Sequence, residues 1–240
     1  MKILINLNEL SVETLVRIVK ETKDSELLDK FADVKNGEVV NAVLKNPNTK
    51  FQTVEKIFST SEHYSKTVLA RVESITRPMI ESLSNDSDWN VRYCVAITDY
   101  KQPHRDILIK LARDSKPEVR HGLLQYGFKK IKDDEEILGI LLDNSNGADG
   151  YDKCIRADIA AMTKDYEKLK KLATDSSWVA QYNVVVNPVT PREIIESIFE
   201  KLQIEMKQTP EKHGLSYLYL AVKLKIELGK IPEGYGQMSY

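Results

Sequence analysis

The sequence predicts an all-α protein, a right-handed α-solenoid (α-α superhelix) of about six helix pairs closed by a C-terminal capping helix. Three observations predict it. A short phrase recurs: DSDWNVR from Asp86 to Arg92 and DSKPEVR from Asp114 to Arg120, with looser copies GYDKCIR ending at Arg156 and DSSWVAQ from Asp175 to Gln181. Leucines that close the second apolar run of each unit stand at Leu83, Leu111, Leu141, Leu172 and Leu202. That interval of about thirty residues holds two helices of about ten residues and two tight turns. Apolar residues also repeat at three- and four-residue spacing, and the Asn-Gly pairs lie between helical stretches rather than between alternating strands.

Residues 1–26 are expected to cap the N-terminal end, 27–202 to form the repeat array, and 203–240 to supply the capping helix and a fraying tail. Two worn units fill Leu27 to Ser59 and Ser61 to Leu83. In NPNTKFQ, Thr49 is expected to cap a helix and Gln52 to return the bond, with Val54, Ile57 and Phe58 on the apolar face behind them. Ser115 with Glu118, around Pro117, repeats the device. In NPVTPRE, Thr190 caps, Pro191 takes the first helical position and Glu193 completes the box, ahead of Ile194, Ile195, Ile198, Phe199 and Leu202. Ile107, Leu108 and Leu111 form the same stripe after Pro103. Asp143 to Asp152, with two glycines, is expected to be the longest irregular loop. Past Thr209-Pro210, an amphipathic helix is expected to about Leu228.

An Asp followed five and six residues later by Val-Arg, as in Asp86/Val91/Arg92 and Asp114/Val119/Arg120, resembles the HEAT-repeat pattern. The NPNT and NPVT turns are similar to those of the leucine-rich repeat variant family, which also stacks helix pairs. The resemblance covers residues 27–202 and implies an α-solenoid in which the Asp and Arg of successive units bond along a spine. It carries that ladder to Asp86, Arg92, Asp114 and Arg120. It weakens at Arg156, where Gly150 stands in place of the Asp, and fails at Gln181, which cannot carry charge. Some members of the variant family hold an iron–sulfur cluster on a Cys-rich leader; no such leader is present in MKILINLNEL, and no cofactor is expected.

Thirty-five basic and thirty-six acidic side chains leave a formal charge of -1. Nucleic acid and anionic membrane normally select excess cation, so both are disfavoured as partners. The opening residues are too polar for a secretory leader, and no apolar stretch approaches the ~20 residues that span a bilayer. Cys94 and Cys154 sit inside helical stretches as small apolar side chains rather than as a disulfide framework. The cytoplasm is therefore the expected compartment.

Chemistry-bearing residues are sparse. His63, His104, His121 and His213 are scattered over different units, without metal-ligand spacing. No phosphate-cradling loop or nucleophile elbow occurs, and Asp133, Asp134, Glu135 and Glu136 suit the positive start of a helix. Trp89 and Trp178 hold equivalent places and are expected to pack between units. Their sharper reading is base stacking, as in the DNA-repair glycosylases built from HEAT-like repeats, with Asp88 beside Trp89. Lys110, Lys171 and Lys201 each precede a closing leucine. Either they complement a helix C-terminus, or they form a basic ridge with Lys129, Lys130 and Lys132. A non-catalytic scaffold binding a protein partner is the expected function, using Arg105, Lys168 and Arg192 with that lysine column. The alternative is a nucleic-acid binder or glycosylase.

Overall fold

The computed structural model describes residues 10–60, 63–98, 104–126, 131–147, 150–208 and 213–228. The start of the N-terminal cap, Pro103, Lys129, Lys130, the Thr209-Pro210 turn and the tail beyond Leu228 lie outside the described residues, as do the side chains of His63 and His213. Fifteen helices and no strand occur among the described residues, so the protein is all-helical there.

Contacts divide the chain into two units, Met1–Ile107 and Leu108–Tyr240. The first holds α1 (Val12–Glu21), α2 (Ser25–Phe31), α3 (Gly37–Lys45), α4 (Phe51–Thr60), α5 (His63–Leu69), α6 (Arg77–Ser84) and α7 (Trp89–Ile97). Here α1, α3, α5 and α7 pack in succession, while α2, α4 and α6 lie on α3, α5 and α7. α8 (Arg105–Ala112) runs across the boundary in the chain. The second unit holds α9 (Pro117–Tyr126), α10 (Glu135–Asn144), α11 (Gly150–Met162), α12 (Tyr166–Leu172), α13 (Trp178–Val186), α14 (Arg192–Gln208) and α15 (His213–Leu228). α9, α11, α13 and α15 again pack in succession, with α10 on α11, α12 on α11 and α13, and α14 on α13 and α15.

Burial explains why such short helices persist. Seven residues such as α12 would not hold a helix alone in water. Leu169 and Leu172 are both fully buried, and each contributes about 1.5–3 kcal/mol by leaving water. All five closing leucines, Leu83, Leu111, Leu141, Leu172 and Leu202, are in the core. Polar side chains fix the starts: Asp24 Oδ1 accepts from Glu26 N and Leu27 N at 2.9 and 3.2 Å, and Asn36 Oδ1 accepts from Glu38 N and Val39 N. Asp88 and Asp134 do the same for α7 and α10.

The expected capping boxes are not what starts α4, α9 and α14. The first helical bonds go to the carbonyls of Lys50, Lys116 and Pro191, and the hydroxyls of Thr49 and Thr190 turn backwards onto the preceding helix. Pro191 therefore precedes the helix rather than opening it. At the third site, Asp114 Oδ1 takes the Lys116 N–H at 2.9 Å, and Glu118 makes no box. The irregular loop expected from Asp143 to Asp152 is also shorter, because α10 runs to Asn144 and α11 begins at Gly150. Trp89 and Trp178 are the first residues of α7 and α13, both half-buried, with Trp89 edge-on to Tyr93 at 6.4 Å.

Candidate functional site

Two sets of polar bonds recur at the turns between helices. In the first, a side chain reaches back six residues to close its own turn. Arg92 Nη1 donates to Asp86 O at 2.8 Å, Arg120 Nη1 to Asp114 O at 2.6 Å, and Gln181 Nε2 to Asp175 O at 2.6 Å. Arg156 makes the matching bonds to Ser145 O and Gly147 O, at 2.8 and 3.0 Å.

Where the side chain is arginine in the second unit, another guanidinium arm reaches forward to a carboxylate. Arg120 Nη2 meets Asp152 Oδ1 at 2.5 Å, and Arg156 Nε meets Asp175 Oδ2 at 2.7 Å. Gly150 therefore does not break the ladder, because Asp152, two residues later, supplies the carboxylate and accepts the Gly147 N–H at 2.8 Å. Gln181 carries no charge and adds no ion pair to the ladder. Its amide keeps the backward bond, and only the forward charge is gone. Asp86 takes Lys66 Nζ at 2.8 Å, and Asp114 anchors Lys116 N as well as its own arginine.

The second set belongs to the two Asn-Pro turns. Asn46 Nδ2 donates to Val19 O and Thr22 O, 27 and 24 residues back, and Asn187 Nδ2 donates to Ala160 O and Thr163 O at the same two offsets. Thr49 Oγ1 meets Val43 O at 2.5 Å, and Thr190 Oγ1 meets Val184 O at 2.6 Å. Each turn thus satisfies the carbonyls that end two helices at once. The signal was available in the sequence, since Thr-Lys-Asp precedes each Asn-Pro-x-Thr by the same distance.

Most of the cations singled out in the sequence are committed to the chain's own acids. Lys168 is the most enclosed: its side chain is 15% exposed and sits 3.2 Å from Glu135 and 3.0 Å from Asp165. Gly139 leaves room for it, since a Cβ there would stand 3.2 Å from Lys168 Cε. Lys171 pairs with Asp143 at 3.1 Å, Arg192 with Glu196 at 2.7 Å, Lys201 with Glu205 at 3.7 Å and Lys132 with Asp133 at 4.0 Å. Arg105 and Lys110 are exposed on α8.

A different face gathers unsatisfied polar atoms and exposed aromatics. Glu118, His121 and Gln125 run along one stripe of α9, at three- and four-residue spacing. The His121 ring lies 5.3 Å from that of Tyr151 on α11, and Gln125 hydrogen-bonds Asp158 one stripe-length further along α11. Glu118 Oε2 and His121 Nε2 are shielded from solvent and receive no protein hydrogen bond among the described residues. Burial pushes the Asp158 carboxyl up to about 6 and lowers His121 below its ordinary value. Tyr151 is 45% exposed, and Tyr126, at the end of α9, is 62% exposed. Sequence reasoning read past this face because its residues are spread over two distant helices.

Cys94 is buried and Cys154 half-buried, both as thiols. No cluster of three or more His, Cys, Asp or Glu suited to a metal ion occurs among the described residues, and no described helix is long and apolar enough to cross a membrane. Comparison with protein-family models, with curated proteins and with solved structures finds no match for this chain.

Proposed function

We propose that this chain is a non-catalytic protein-binding scaffold, a HEAT-like α-solenoid of about six helix pairs, working in the cytoplasm and engaging its partner through the α9–α11 face. One observation carries the binding reading: the exposed Tyr151 ring lies 5.3 Å from that of His121, and α9 ends on the exposed Tyr126. Large exposed amphipathic rings are what a hot spot offers a partner. The solenoid reading is supported by the backward turn bonds of Arg92, Arg120 and Gln181 and by the Asn-Pro turn that each unit carries once with the same offsets.

Nucleic-acid binding is the weaker reading. Lys168, Lys171, Lys201 and Arg192 already have carboxylate partners, and the α9–α11 face carries Glu118 and Asp158. The test compares affinity capture by the parent and by a Tyr126→Ala/Tyr151→Ala variant. Loss of the captured partner in the variant is expected. Equal capture by both, or tight salt-sensitive binding of duplex DNA by the parent, would overturn the reading.

A further inference from the structure

The two Asn-Pro turns share their Asn and Thr side-chain bonds, but the Asn46 N–H donates to Val43 O where the Asn187 N–H donates to Asn183 O, and their surroundings differ. Over the turn at Asn187, the half-buried ammonium of Lys225 on α15 donates to Val185 O and to Asn187 O, the latter at 2.9 Å. Those carbonyls end α13, where the helix dipole is negative. The hydroxyl bonds pair Val43 with Val184, so Leu44 and Asn46 are the counterparts of Val185 and Asn187. α5 packs on α3 as α15 packs on α13, but no lysine of α5 caps this turn among the described residues. Instead, a cavity of about 800 Å³ opens beside it. Leu44, Asn46, Val54, Val68, Val72 and Cys94 are among its lining residues.

We propose that this cavity binds a primary ammonium at the end of an unbranched aliphatic chain, the group a lysine side chain of another protein presents. The ammonium would take the place over Leu44 O and Asn46 O that Lys225 holds over Val185 O and Asn187 O. Val54, Val68 and Val72 offer aliphatic wall to a four-carbon stem, as a lysine stem requires. Lys45, Arg71 and Glu73 stand in the lining as well, and both cations are exposed. These three side chains leave the lining one net positive charge, which weakens binding of a single ammonium and penalises a second one more, so a lysine-like monocation is selected over a diamine. This site lies in the other unit from the α9–α11 face and stands or falls independently of it.

The experiment is an amide-resolved NMR titration of the full chain with Nα-acetyl-lysine-N-methylamide, with the norleucine analogue and 1,5-diaminopentane as parallel arms. Saturable shifts at Leu44, Asn46 and Thr49 with the lysine amide are expected, with no response at the Asn187 turn that Lys225 covers. The norleucine analogue should leave the turn unmoved, and the diamine should bind more weakly than the lysine amide. Lys45→Met should tighten lysine-amide binding by roughly threefold, the size of one like-charge repulsion across water. Absence of turn shifts with the lysine amide in both parent and Lys45→Met, or equal shifts with norleucine, overturns the proposal. A diamine that binds more tightly than the lysine amide overturns the selection for a monocation.

Discussion

Arg120 Nη2 and Asp152 Oδ1 meet at 2.5 Å with both side chains only 6% exposed, which makes theirs the most enclosed ion pair among the described residues. The same guanidinium also holds Asp114 O, so a single side chain ties the turn before α9 to the first turn of α11. Removing the arginine leaves the buried Asp152 carboxylate without this cation, though it still accepts the Gly147 N–H, and the cost of that exceeds the value of the pair itself. Arg120→Ala is expected to lower stability by about 3–5 kcal/mol in urea unfolding. Arg120→Met combined with Asp152→Leu should lose far less, because no charge is left behind. A single variant unfolding like the parent would show the pair to be solvated.

The Asn-Pro clasps should be equivalent in energy. Asn46→Ala and Asn187→Ala each remove two donors from buried helix-end carbonyls, and each is expected to cost about 1–3 kcal/mol. Asn187→Asp should be no better than alanine, since a carboxylate cannot donate to a carbonyl. Chemical denaturation of the variants checks this, and a clasp whose loss is silent would count against it.

Stability should fall as pH rises through the Asp158 titration. Its folded value, pushed up to about 6, lies above the ordinary 3.8, so the folded state holds the proton more tightly than the unfolded chain. Between pH ~4 and ~6 the folded state binds more protons, and raising the pH through that window costs about 2–3 kcal/mol. His121 acts in the opposite sense. Its lowered value makes the fold lose stability as pH falls through about 6.5. The difference between parent and Asp158→Asn isolates the carboxyl: the variant should be the more stable at pH 7 and lose that advantage by pH 4. Thermal melts across pH measure it, and a pH-independent difference would contradict the burial of Asp158.

The two neighbouring lysines on α12 should behave differently. Lys168→Ala leaves Glu135 and Asp165 facing each other without their shared cation and is expected to cost about 1–2 kcal/mol. Lys171→Ala breaks an exposed pair with Asp143 and should cost less than about 0.5 kcal/mol. Equal effects in thermal unfolding would argue against the enclosure of Lys168.

The helical class and the core were legible because they rest on apolar spacing, and all five closing leucines are buried. The backward bonds of Arg92 and Arg120 begin at the residues the repeated phrase marks. What spacing hid was side-chain direction. Thr49 and Thr190 stand in sequence where helix caps stand, yet their hydroxyls find a nearer acceptor behind them. Asp152 was missed because a carboxylate displaced by two residues, in the first turn of a helix, reaches the same guanidinium. The lysine column looked like a ridge because its acidic partners, Asp143 and Glu205, fall outside the repeat phase. Glu118, His121, Tyr151 and Asp158 carry no motif at all; only packing of α9 on α11 brings them together.

Solution X-ray scattering tests the proposed repeat array most directly. A compact globule of this length has a radius of gyration of about 18 Å and a symmetric distance distribution. A continuous stack of helix pairs should give a radius clearly above ~20 Å and a distribution skewed to long distances. A value near ~18 Å with a symmetric profile would contradict it.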